Sequence, residues 1–275
     1  MLRLLNFEIR SRLGGIAGWG LGVGSYALMY MTLYPSISEQ FGGLDLSQIE
    51  FYQAFGAMSM TTFPGYTVST IVNFIPILLG IFAIIAGTGV LAGEEEDGTL
   101  ELIAAGPLWR WQIVMAKWLG LAAAAAGVVL IVVLAALSGL AYVSTQIETG
   151  VSAADLIPVL LNSLPITLFF MTFSMFLGAY LPRRKFASGV ATVFFIFSYF
   201  ANNLAASVKA LEPLTPFLPF HYYDASLDVL AEGPQIENVL VLLAAVLVCL
   251  LLTLLSFQRR NLTVGAWPWQ RARIP

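Results

Sequence analysis

The residues able to do chemistry in this chain are sparse and oddly placed. Four consecutive acids, Glu94 to Asp97, sit between two of its most apolar stretches; the single histidine is His221 and the single cysteine Cys249. Paired carboxylates such as Glu94-Glu95 are what a glutamate-type intramembrane protease would use to activate a water. That chemistry needs several such groups converging at membrane depth, and no H-E-x-x-H or G-x-S-x-G pattern accompanies them. A phosphate-binding loop ends in G-K-[ST], whereas Lys117, Lys185 and Lys209 follow Ala116, Arg184 and Val208, so ATP hydrolysis by that chemistry is excluded. One thiol forms no intramolecular disulfide and no metal cluster. With 13 basic and 16 acidic residues and no basic stripe, nucleic acid is not an expected partner.

The elements that must position these groups are membrane helices. Hydrophobic residues are 59% of the chain and charged residues 11%, against about 25% charged in soluble domains. A spanning helix takes about 20 apolar residues, and six windows qualify: Ile16–Tyr34, Val68–Leu91, Ile113–Val143, Leu156–Leu181, Ala187–Val208 and Val239–Phe257. Pro158 and Pro165 predict that the fourth is kinked or starts late. Alternate connections hold every basic residue except Lys209, which places both termini in the cytoplasm. The tryptophans fall near that same side. The spans carry essentially no ionisable residue apart from Lys117 near the start of the third, unlike the proton relays of ion-coupled transporters. The expected fold is all-α: six transmembrane helices in a single polytopic domain over residues 1–275.

The N-terminal stretch "MLRLLNFEIRSRL" reads either as an interfacial helix, with Leu2, Leu5, Ile9 and Leu13 on one face, or as a cytoplasmic extension of the first span. Glu8 and Arg12 flank the apolar face and blur it. The acidic stretch continues as "GTLELIAAGP". Asp97 or Thr99 is placed to cap a short helix, and the acids suit the positive end of its dipole. Gly106 is expected as a left-handed stop, with Pro107 opening the next helix. A helix of about two turns is unstable alone in water, and Leu100, Leu102 and Ile103 would be exposed unless something covers them. A solvated acidic loop is the alternative.

The stretch "EEEDGTLELIAAGPLWRWQIVMAKWL" resembles the signature of ABC-2-type transporter permeases. In that family an acidic E-x-x-x-G-T-L-E-x-L segment precedes a small-residue–Pro turn, a basic residue and a Lys opening the third span. The corresponding residues are Glu94, Gly98, Thr99, Leu100, Glu101, Leu102, Gly106, Pro107, Arg110 and Lys117. "PFLPFHYYD" is similar to the family's "SPF-x-YF" stretch before the last span, with Leu218 where Ser is usual. The six-span layout agrees, so the resemblance covers essentially the whole chain. It implies that the short helix is a coupling helix docking on a separate ATP-binding subunit. Glu95, Gly98, Thr99, Leu100, Glu101, Leu102 and Ile103 would form the contact, the leucines and Ile103 packing and the acids pairing with the ATPase. Exposed acids would then matter little, and Glu94→Ala is expected to be nearly silent. The resemblance also implies two permease copies with two ATP-binding subunits, ATP and magnesium bound by those partners and no cofactor in this chain. Before the last span it implies short helices dipping back toward the bilayer.

The translocation path has few polar candidates: Asn73, Asn162, Asn202 and Asn203, with Phe173 and Phe176 from the aromatic, Met-rich fourth and fifth spans. Such rings suit bulky apolar ligands, or they simply pack or face lipid. Pro219, His221 and Tyr222 are candidates for an outer gate, with His221 equally readable as a structural interfacial residue. Gly14, Gly18 and Gly22 form a small-residue stripe that serves contacts either within the chain or between copies. The reading is the membrane subunit of an ABC transporter, with export preferred because no soluble domain receives substrate. A non-transporting sensor or assembly component docked to the same ATPase is the alternative.

Overall fold

The computed structural model describes residues 1–41, 62–104, 106–205 and 207–259, with the side chains of 39–41, 101, 102 and 104 outside that description. The described residues are helical, as the composition requires, since unpaired backbone groups are costly in lipid. Helix α1 is Leu2–Ser11 and α2 is Leu13–Phe41. Helix α3, Phe63–Glu96, leads into the short α4, Thr99–Ala104, and α5 is Arg110–Val143. Helix α6 is Ala153–Tyr180, α7 Arg184–Leu204, the short α8 Leu227–Glu232 and α9 Ile236–Arg259.

Five of these, α3, α5, α6, α7 and α9, are long and apolar enough to cross a membrane. At 29 residues α2 is long enough but is not among the five, because its glycines lower its mean hydropathy. The expected first span therefore stands on length alone. It also continues through Pro35 to Phe41, past the expected end of that span at Tyr34. Phe51, Phe55, Met58 and Met60, between this helix and the next, lie outside the described residues, while Phe63 opens α3 and is buried.

Packing follows the small residues. The largest helix pair is α2 on α5, and Gly20 and Gly24 allow it: a Cβ on Gly20 would come within 2.6 Å of Ile131. Gly14, Gly18 and Gly22 face away, with nothing within 4 Å of a Cβ built on them. Helix α6 packs between α3 and α9. It breaks at Asn162, between Ala153–Leu161 and Ser163–Tyr180, where Pro165 interrupts the hydrogen-bond ladder. Gly87 of α3 lies so close to α6 that a Cβ would meet the Met171 carbonyl oxygen at 2.3 Å.

Helix α3 carries two π-helical turns, Val68–Val72 and Gly89–Gly93. A π-turn displaces carbonyls from the regular ladder, and such turns often mark functional positions. At the first, tyrosine hydroxyls donate to the backbone: Tyr26 to Thr70 O and Tyr223 to Val72 O, each at 2.7 Å. At the second, the Arg184 guanidinium lies over the helix, close enough that a Cβ on Gly89 would sit 3.2 Å from it.

Candidate coupling site

The acidic stretch follows directly from the second π-turn. Glu94–Glu96 forms a single helical turn, Asp97 ends it, and Gly98 reverses the chain with φ +71° before α4 begins. That left-handed position favours glycine. Among the described residues positive φ is confined to Gly98, Gly150 and Gly233, so the left-handed glycine of this loop precedes the short helix; the expected stop at Gly106 is replaced by a turn in which its N–H donates to Ile103 O. The Thr99 hydroxyl does not cap its own helix either: it donates to Glu94 O at 3.1 Å, closing the Gly98 turn.

The acids are held by this chain. Lys117 of α5 is fully buried, and its ammonium donates to Glu8 Oε1 at 2.8 Å and to Glu94 Oε2. Glu8 Oε2 also accepts from the Arg12 guanidinium at 2.7 Å. Glu96 Oε1 accepts the backbone N–H of Arg184 at 2.8 Å, capping α7. Arg110, at the start of α5, donates to the carbonyls of Phe257 and Gln258 in the last turn of α9. One end of the bundle thus ties α1, α3, α5, α7 and α9 together around the acidic turn.

This geometry corrects several expectations. Glu8, read as a blemish in an amphipathic face, is the buried anchor of α1, whereas Leu2, Phe7 and Leu13 are exposed. Leu100 is fully buried in the chain's own core, so it is not free for a partner, and the half-buried Ile103 packs against that core. Glu95 is buried as well, and Glu94 is engaged by Lys117 instead of free for an ATPase lysine or arginine. The side chains of Glu101 and Leu102 lie outside the described residues. Sequence reasoning noted Glu8 and Lys117 without pairing them, yet the signal was available: a lysine embedded in an apolar helix needs a buried acid, and Glu8 is the acid on the neighbouring apolar face.

Burial raises the Glu8 carboxyl, but the Lys117 and Arg12 cations outweigh it and hold the group below its ordinary 4.5. It is ionised at neutral pH, as a salt link to a buried ammonium requires.

The remaining candidates are scattered. Asn73 and Asn162 are buried in α3 and at the α6 break, Asn202 is half-buried, and Asn203 donates to Tyr199 O of its own helix. Phe173 stacks on Phe169 at 5.9 Å and meets Phe194 at a tilt, 5.0 Å between ring centroids, and Phe176 stacks on Tyr180, as packing residues do. Pro219 is buried, His221 exposed, and the Tyr222 hydroxyl donates to Pro216 O. Two short 3-10 turns, Glu212–Phe217 and Pro219–Tyr222, hold this segment. Because Tyr223 bonds Val72 while Glu94 lies 22 residues further along α3, His221 and the acids are about 30 Å apart at 1.5 Å per residue. A protease site joining them is ruled out.

The long apolar helices of this bundle are those of a multi-pass membrane protein. The model of the ABC-2 family transporter proteins matches residues 2–262, and the chain belongs to that family. A curated relative, "Probable ABC transporter permease protein NosY" from Stutzerimonas stutzeri, is 27% identical over 145 residues, 52% of each chain. The chain therefore spans about half the length of the curated relative it matches.

Proposed function

We propose that this chain is the permease subunit of an ABC exporter in the cell membrane, with α2 as a sixth span and both termini cytoplasmic. Two copies assemble with two ATP-binding subunits that bind ATP and magnesium, and the stretch Gly98–Ile103 is the element they push. The observation that supports this best is the way the acidic turn is fixed. Lys117, Glu8, Glu96 and Arg184 lock the base of α4 to several helices at once. A two-state ATPase biases membrane helices only through a contact that does not yield, and a short helix on a pinned base meets that condition.

The outward stripe Gly14, Gly18 and Gly22 supports a second copy packing on α2, since small residues let helices approach closely. Asn73, Asn162, Phe173, Phe176, Asn202 and Asn203 remain the proposed path, and Pro219, His221 and Tyr222 the proposed outer gate. The test is reconstitution of the chain with its ATP-binding subunit in vesicles. ATP hydrolysis should depend on that subunit and rise with transported substrate; hydrolysis by the purified chain alone sinks the reading. Labelling a cysteine at position 98 in a Cys249→Ser background tests orientation, and reaction from outside the cell alone would reverse it.

A further inference from the structure

Two neighbouring cavities on α7 meet at one residue, Lys185. The first, about 390 Å³, lies between α7 and the end of α3, and is lined by Arg184, Lys185, Ser188, Thr192, Thr88 and Glu96 among others. The second, about 520 Å³, is an open groove along α7 lined by Lys185, Gly189, Val190, Val193 and Phe197 with their neighbours. Both fall in the size range of small-molecule sites, roughly 300–1,000 Å³. Helical spacing explains the pairing: residues 184, 185, 188 and 192 share one stripe of α7, while 189, 190, 193 and 197 share the adjoining one.

The geometry points to a binding site for one anionic phospholipid, its phosphate in the first cavity and an acyl chain along the groove. The charge balance of the headgroup cavity favours an anion. Arg184 and Lys185 supply two cations and Ser188 and Thr192 two hydroxyls, against the single carboxylate of Glu96. That carboxylate accepts the Arg184 backbone N–H. Basic pockets between membrane helices at the interface recognise anionic headgroups in this way. The groove decides between a lipid and a free phosphate, because it is almost wholly apolar and begins where the cations end. Val190, Val193 and Phe197 are exposed at 48%, 69% and 47%, so an acyl chain covers surface that a free phosphate leaves bare. The site shares Glu96 and Arg184 with the base of α4, yet lipid binding there holds whether or not α4 contacts an ATPase.

Retention of lipid by the full chain, extracted from bilayers of mixed phosphatidylcholine and phosphatidylglycerol and weighed by native mass spectrometry, tests this. Wild type should keep phosphatidylglycerol in preference. Lys185→Gln should weaken that retention about five-fold, the effect of one interfacial cation. Gly189→Trp should weaken it equally with no change in charge; a Cβ at Gly189 meets nothing within 4 Å, and an unchanged melting temperature of the variant checks that the ring leaves the fold intact. Equal retention of the two lipids overturns the site. So does displacement by inorganic phosphate with Gly189→Trp behaving as wild type, which would mark an anion pocket alone. A photo-crosslinker at Val193 that captures a second copy of the chain instead of lipid also overturns it.

Discussion

Lys117 in α5 and Glu8 in α1 form a buried ion pair at 2.8 Å, the lysine fully covered and the glutamate side chain 3% exposed. It joins the first helix of the chain to the helix after the acidic turn, and Glu94 completes it from a third helix. Removing one partner of such a pair strands a charge away from water, which costs about 3–5 kcal/mol. Lys117→Met should therefore lower thermal stability in detergent by about that amount. The triple change Lys117→Met, Glu8→Gln, Glu94→Gln should recover much of the loss, because the fully buried charge is gone and Arg12, which loses its Glu8 partner, keeps 20% of its side chain exposed. Single and triple variants of equal stability would show that the cluster carries no buried charge.

Acid should release α1. Glu8 sits below its ordinary 4.5 in the folded chain, and a carboxylate with a depressed folded value contributes stability above the unfolded value and loses it as pH falls through the folded one. The protection of the Leu2–Ser11 amides, their exchange relative to the intrinsic rate at each pH, should stay constant from about pH 7 down to about 4.5, then fall below. A loss of protection that is complete by about pH 6 would mean that another group holds this helix.

Two glycines should respond oppositely. A methyl on Gly87 would meet a backbone oxygen of α6 at 2.3 Å, which no side-chain rotation relieves, whereas Gly18 faces open space. Overpacking of this kind costs about 1–3 kcal/mol. Gly87→Ala should destabilise the monomer, and Gly18→Ala should leave it unchanged. If Gly14, Gly18 and Gly22 form a seam between copies, Gly18→Leu should lower the dimer fraction in cross-linking at unchanged monomer stability. An unchanged dimer fraction would remove that seam.

The parts legible in the sequence were those set by length and apolarity. The long helices after α2 follow the hydropathy windows, and the break at Asn162 follows Pro165. Glycine roles were not legible, because Gly18 and Gly20 differ only in which side of α2 they face and that depends on where α5 packs. The fate of the acids was also hidden. Glu94 looks like a surface residue until Lys117, 23 positions later, is seen reaching it from inside the bundle. Leu100 shows the same limit: an apolar residue in a short charged loop reads as a docking face, and only packing reveals that its own core takes it.

The central claim, that the stretch after Gly98 is where an ATP-binding subunit engages this chain, is tested most directly by capture of that subunit on variants of known stability. Glu94→Ala, which takes one acceptor from the buried Lys117, should cost about 1–3 kcal/mol of permease stability, while capture by the folded fraction stays near wild type. Leu102→Asp should abolish both capture and transport at wild-type expression and membrane insertion, since the loop lies outside the expected spans. If Leu102→Asp captures the subunit and transports like wild type, this loop does not couple the chain to an ATPase.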